Sequence, residues 1–185
     1  MTKKIVQLGF FLALALILAY VESLIPFSFG IPGIKLGLPN LIVVLLLYQG
    51  EVAWGNTEQS DASTGGISSF GVREALLING LRIVLSGFLF SNLFTILYAL
   101  AGAIFSFIVM LFGRRIRFFS IIGVSVLGGV FHNIGQIIVA ILVVNTVYVG
   151  YYVPFLIASG TITGAVIGIA AMELIPYLNR IKDRR

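Results

Sequence analysis

Six stretches of the chain are apolar enough to leave water, and the breaks between them are short: residues 5–25, 33–49, 72–91, 94–112, 119–144 and 150–177. A helix rises about 1.5 Å per residue, so a hydrocarbon core roughly 30 Å thick takes about 20 apolar residues, with a usable range of about 17–25. The pattern therefore predicts an all-α integral membrane protein, a six-transmembrane-helix bundle in one domain spanning residues 1–185. The second stretch is the weakest. Pro39 interrupts its start and the wholly apolar part runs only from Leu41 to Tyr48, which predicts a short or tilted helix. The last two are longer than a crossing requires, which allows tilt without specifying an angle.

Two breaks differ from simple turns. The first, Pro26 to Pro39, concentrates proline and glycine (Pro26, Gly30, Pro32, Gly33, Gly37, Pro39) and cannot be helical throughout. Irregular backbone at membrane depth survives only where protein or water satisfies it, so this loop is either a cover over a cavity or a plain connector. The second, residues 51–70, has the polar, glycine-containing composition of a flexible linker and is expected to move freely in the cytoplasm.

Charge placement orients the bundle. Cytoplasmic loops carry an excess of Lys and Arg. With the N-terminus inside and six crossings, Lys3, Lys4, Arg73, Arg114, Arg115, Arg117, Arg180, Lys182, Arg184 and Arg185 all fall on the cytoplasmic side, and only Lys35 falls outside. Five crossings would expose one of the two basic clusters, so both termini are expected in the cytoplasm of a multi-pass plasma-membrane protein.

Composition agrees. The chain has 185 residues, 59% hydrophobic and 10% charged, with a mean hydropathy of +1.09. A soluble domain carries about 25% charged residues. The net charge of +5 does not signal nucleic acid, because the basic residues cap apolar segments instead of forming an aromatic-interleaved patch. The basic start followed by a long apolar run reads as the first span and not as a cleaved leader. With no cysteine there is no disulfide or thiolate chemistry.

A charge at the bilayer centre costs about 2.5–3.5 kcal/mol on insertion scales, so polar groups inside the spans need a reason. Glu22, one turn before Pro26, contacts a ligand, pairs with Lys35 or sits at the interface. Arg82 lies near the middle of the third span and is expected to face the interior, holding an anionic group or pairing with Glu22 or Glu74. Asn79 and Ser86 extend a polar strip on that helix, a pattern that also serves helix packing. In the fifth span His132 and Gln136, four residues apart, share a face with Asn133 beside them. They read either as a polar ligand wall or as a structural hydrogen-bonded cluster. A lone histidine with no cysteine or carboxylate cluster makes no metal site, and no cofactor is implied.

Small residues recur at four-residue spacing: Ala15 and Ala19 in the first span, and Gly160, Gly164 and Gly168 in the sixth. Such rows let helices approach closely, against each other or against a partner. No Gly-x-x-x-x-Gly-Lys motif is present, so the chain has no phosphate cradle of that kind for ATP.

Taken together, Lys35-Leu-Gly-Leu-Pro-Asn40, Arg73-Glu74-Ala75 with Leu81-Arg82, Gly123-Val-Ser-Val, His132-Asn-Ile-Gly-Gln136 and Ile162-Thr-Gly164 resemble the Gx transporter family. That family is also labelled heptaprenyl diphosphate synthase component I and is similar to the S components of energy-coupling-factor transporters. The resemblance covers nearly the whole chain except residues 51–70, a polar insertion that departs from the pattern. It implies an S-component-like fold that binds a small molecule, a vitamin or precursor, from outside, with the first loop as cover. It further implies a scaffold membrane protein and ATPase subunits as partners, the scaffold docking on the Ala-x-x-x-Ala motif that Ala15 and Ala19 match. Prenyl chain elongation needs paired carboxylates to hold magnesium, and the isolated Asp61 and Asp183 do not supply them. A non-catalytic role is therefore expected.

The expected site lies toward the outer half, walled by the first loop, Glu22, Lys35, Asn40, Arg82, His132, Asn133 and Gln136. Arg82 and Lys35 favour a negative or electron-rich group, while Glu22 equally suits a cation. The rival expectations are an accessory subunit in isoprenoid, quinone or membrane redox metabolism, and a purely structural membrane partner.

Overall fold

The computed structural model describes residues 2–24, 37–49, 71–116 and 118–183. Among them every regular element is helical: α1 (Thr2–Leu24), α2 (Asn40–Gln49), α3 (Val72–Phe90), α4 (Leu93–Arg115), α5 (Ile121–Val144), a 3-10 turn (Val147–Tyr152) and α6 (Val153–Asp183). The chain is a helical membrane protein. Four segments, Lys4–Leu24, Leu93–Arg115, Ile121–Val144 and Val147–Leu178, are long and apolar enough to cross a bilayer.

The other two helices differ from simple spans, each for a physical reason. α3 holds Arg73, Glu74 and Arg82 within 19 residues, which lowers its apolar character. The second expected span, 33–49, is described as helix only from Asn40, and residues 33–36 lie outside the described residues. The ten residues of α2 rise about 15 Å, half of the core thickness. Every side chain from Ile42 to Leu47 is buried. A helix that is apolar all round belongs in the centre of a protein, and α2 is enclosed there by α1, α3, α5 and α6.

Local chemistry sets the ends. The Asn92 side chain accepts from the Thr95 amide at 2.9 Å and the Ser120 hydroxyl from the Gly123 amide at 3.2 Å, capping the starts of α4 and α5. Asn145, in the left-handed region at φ 51°, stops α5 as helix-ending asparagines do. The sixth stretch then begins as the 3-10 turn, and α6 starts at Val153, three residues later than expected.

α5 packs most extensively, against α4 on one side and α6 on the other. The Gly160, Gly164 and Gly168 row is turned onto α5. A Cβ on Gly164 would lie 2.7 Å from the Val126 Cα, and one on Gly168 would lie 2.7 Å from the Ile122 Cα. These glycines serve internal packing. α1 leans on α3, and its N-terminal end is tied there by Lys4 Nζ, 2.5 Å from Glu74 Oε1. Glu74 Oε2 also accepts from the Gly71 amide at 2.9 Å, holding the start of α3. The lysine is half-buried at the surface, so its ion pair contributes little, about 0–1 kcal/mol.

Candidate ligand-binding site

Polar side chains buried among leucines must find partners or leave a deficit, because an unsatisfied buried group costs about 1–3 kcal/mol. Four helices bring such side chains to one place, and a fifth closes on them through a glycine. From α3, Arg82 is 6% exposed and its Nη2 donates to Asn79 Oδ1, one turn earlier, at 2.5 Å. From α1, the buried Glu22 accepts the Gly37 amide N–H. Gly37 sits at φ +84°, a conformation that favours glycine. A Cβ on it would stand 2.9 Å from the Asn40 amide nitrogen and 3.5 Å from the His132 ring. Glu22 thereby holds the segment entering α2 directly over His132.

α5 supplies the floor. His132 is 3% exposed and Gln136 is fully buried. The Gln136 Nε2 and His132 Nε2 lie 3.2 Å apart. The other ring nitrogen, Nδ1, is turned at the backbone of Gly102 on α4, too poorly aligned for a full hydrogen bond. α4 comes this close because position 102 has no side chain: a Cβ there would lie 2.7 Å from the His132 carbonyl oxygen. The guanidinium of Arg82 is within electrostatic reach of both Glu22 and His132.

Three atoms of this cluster are left without a hydrogen-bond partner: Arg82 Nε, His132 Nδ1 and Gln136 Oε1. Native interiors seldom tolerate such orphans. A donor and an acceptor kept in reserve inside a dry bundle are what a small polar molecule, or water, would satisfy.

Of the site residues expected from sequence, Glu22, Asn40, Arg82, His132 and Gln136 come together, with Asn79 joining them. Asn133 does not. Its Nδ2 donates to the Leu156 carbonyl at 2.7 Å and to Ser159 Oγ at 3.3 Å, stapling α5 to α6 on another face. Lys35 lies outside the described residues. Ala15 and Ala19 are buried, Ala15 within the main hydrophobic core. Gly37 and Gly102 belong to the site without any chemical signature in the sequence. The only signal for Gly102 is the small run Ala101-Gly102-Ala103, which sits against Gly135.

A family model described as heptaprenyl diphosphate synthase component I matches residues 11–54 and 64–174. The chain belongs to the heptaprenyl diphosphate synthase component I family. Comparison with curated proteins and with solved structures returns no match. The component I match contains every residue of the cluster and skips residues 55–63, inside the polar insertion. Among the described residues, no group of three or more His, Cys, Asp or Glu side chains stands close enough to hold a metal ion.

Proposed function

We propose that the protein is a non-catalytic, membrane-embedded substrate-binding subunit of the S-component type, taking up a small molecule from the outer side. The observation that carries the reading is the buried five-helix cluster around Arg82 and His132, with a donor and an acceptor held unpartnered. Without a phosphate cradle for ATP, such a subunit depends on a separate energising module, a scaffold membrane protein with ATPase subunits, for active uptake.

In this role the chain crosses the plasma membrane six times with both termini in the cytoplasm. Two contacts join helix ends that this arrangement places on the same side: Lys4 with Glu74, and the Arg114 guanidinium 5.8 Å over the Tyr48 ring. Because the chain has no cysteine, single introduced cysteines report sidedness cleanly. Phe118 and Tyr151 are 89% and 83% exposed. In intact cells a membrane-impermeant maleimide is expected to label Tyr151→Cys and to spare Phe118→Cys until the membrane is opened. Labelling of both from outside, or the reverse pattern, contradicts the topology.

Native mass spectrometry of the protein released from lipid nanodiscs tests the site. The wild type is expected to carry a small polar molecule. Arg82→Lys keeps the charge but removes the Nε–H donor, and Gln136→Leu removes the acceptor. A lost hydrogen bond costs about 1.5–3 kcal/mol where one partner is charged, as with Arg82, and about 0.5–1.5 kcal/mol where both are neutral, so retention should weaken roughly 10- to 150-fold in Arg82→Lys and roughly 2- to 10-fold in Gln136→Leu. Wild-type occupancy in both folded variants would refute the site.

The family description supports a second reading, a membrane accessory subunit in isoprenoid or quinone metabolism. A long prenylated lipid in place of a compact polar molecule in the same spectra would favour it.

A further inference from the structure

α4 has two unlike faces, and the one turned away from the bundle ends in a charge. Gly102, Ser106, Met110 and Gly113 are buried against α5, whereas Ile104, Phe105, Ile108, Phe112 and Arg115 are exposed. The exposed set recurs every three or four residues, so it forms one stripe along the helix. From residue 104 to residue 115 that stripe rises about 16 Å, roughly the depth of one leaflet of a hydrocarbon core about 30 Å thick. α4 is itself long and apolar enough to cross a bilayer. The stripe therefore runs along half of the membrane as a continuous apolar lane and sets a guanidinium at the level of the headgroups.

The charges around that end are positive. Neither α4 nor α5 contains Asp or Glu. Arg114 is turned inward, 5.8 Å over the Tyr48 ring at the end of α2, and adds a second positive charge behind Arg115. Glu74 is engaged by Lys4 on the α1–α3 side, and the exposed Glu173 is on α6, which α5 separates from α4. A guanidinium matches a phosphate through paired N–H donors. We infer that an anionic phospholipid, in the leaflet that holds the α4–α5 turn, occupies this stripe. Its acyl chains lie on Phe105, Ile108 and Phe112, and its phosphate lies on Arg115. A zwitterionic lipid fills the same lane but brings its own cation toward the two arginines, so it gains less. An acidic protein surface would meet Arg115 and leave the apolar side chains deeper in the bilayer uncovered. The inference uses only that α4 crosses the membrane, and it stands or falls apart from the ligand-binding reading.

Fluorescence quenching in the full-length protein tests it. Trp54 is the chain's one tryptophan. In a Trp54→Phe background, a Phe112→Trp reporter sits on the stripe one turn before Arg115, and a Leu93→Trp reporter sits exposed at the opposite end of α4. Each protein is reconstituted into phosphatidylcholine bilayers in which a rising fraction of the lipid is phosphatidylglycerol with brominated chains, or brominated phosphatidylcholine as the reference. At low salt the Phe112→Trp reporter is expected to show a roughly fivefold or greater preference for phosphatidylglycerol, and the Leu93→Trp reporter none. Adding Arg115→Gln to the Phe112→Trp protein should lower the preference roughly fivefold, and Arg115→Lys, which keeps the charge, should retain most of it. Equal preference at the two reporters, or a preference that Arg115→Gln leaves unchanged, overturns the inference, and the two reporters decide it even if the Arg115 variants fail to fold. No preference at Phe112→Trp also overturns it and leaves Arg115 to an acidic protein partner.

Discussion

Arg82→Ala is expected to lower the thermal midpoint of the purified protein by about 10 °C, and adding Glu22→Gln is expected to restore most of that loss. The cause is an asymmetry. A buried charge pair contributes little net stability, since desolvation offsets attraction, but removing one member strands the other at a cost of about 3–5 kcal/mol. In Arg82→Ala the buried Glu22 loses the compensating charge of Arg82 while still accepting from the Gly37 amide. Asn79 Oδ1 loses its 2.5 Å partner in the same step. For a chain of this size each 1 kcal/mol moves the midpoint by roughly 2–4 °C. Glu22→Gln removes the carboxylate charge while keeping an acceptor for the Gly37 amide, so the double variant retains the latch over His132. Size-exclusion profiles after stepwise heating read both effects. Wild-type stability in Arg82→Ala, or no recovery in the double variant, would show that the two charges do not depend on each other.

That dependence was only partly legible in the sequence. The insertion penalty alone said that Glu22 and Arg82 required partners, and the four-residue spacing put His132 and Gln136 on one face. What periodicity cannot supply is which neighbouring helix a face meets. Asn133 adjoins His132 in the chain, yet one residue turns a helix by about 100°, and the Leu156 carbonyl of α6 stands where that side chain arrives. Gly102 was invisible for a different reason. A glycine announces no chemistry, and its contribution, letting α4 approach the His132 backbone, exists only once the two helices are packed. The shortness of α2 was foreshadowed by Pro39, whereas its enclosure followed from composition, since Ile42 to Leu47 have no polar face to show to water. The small-residue rows separated on packing: Gly160, Gly164 and Gly168 face α5, and Ala15 and Ala19 are buried in the bundle.

The α5–α6 seam carries the other large effect. Gly129→Leu should abolish recovery of a monodisperse protein, Gly129→Ala should destabilise it by about 1–3 kcal/mol, and Gly9→Ala should be neutral or stabilising by up to about 1 kcal/mol. In lipid no hydrophobic force drives one helix against another, so association depends on close van der Waals approach and on hydrogen bonds formed across the seam. At Gly129 that approach has no slack. A Cβ there would lie 2.3 Å from the Gly160 carbonyl oxygen, and a Cβ on Gly160 would lie 2.7 Å from the Gly129 carbonyl oxygen. Both obstacles are backbone, so the strain of even one methyl group must be relieved by parting the helices. Parting them lengthens the bond from Asn133 Nδ2 to the Leu156 carbonyl, now 2.7 Å, and moves the helix that also bears His132 and Gln136. A methyl group added at Gly9 would meet nothing within 4 Å, so that change alters only backbone entropy. Thermal midpoints of the three variants, read beside the ligand retained by Gly129→Ala, separate a seam that merely holds the bundle from one that also sets the floor of the site. If Gly129→Leu purifies and melts like the wild type, α5 and α6 do not meet this closely.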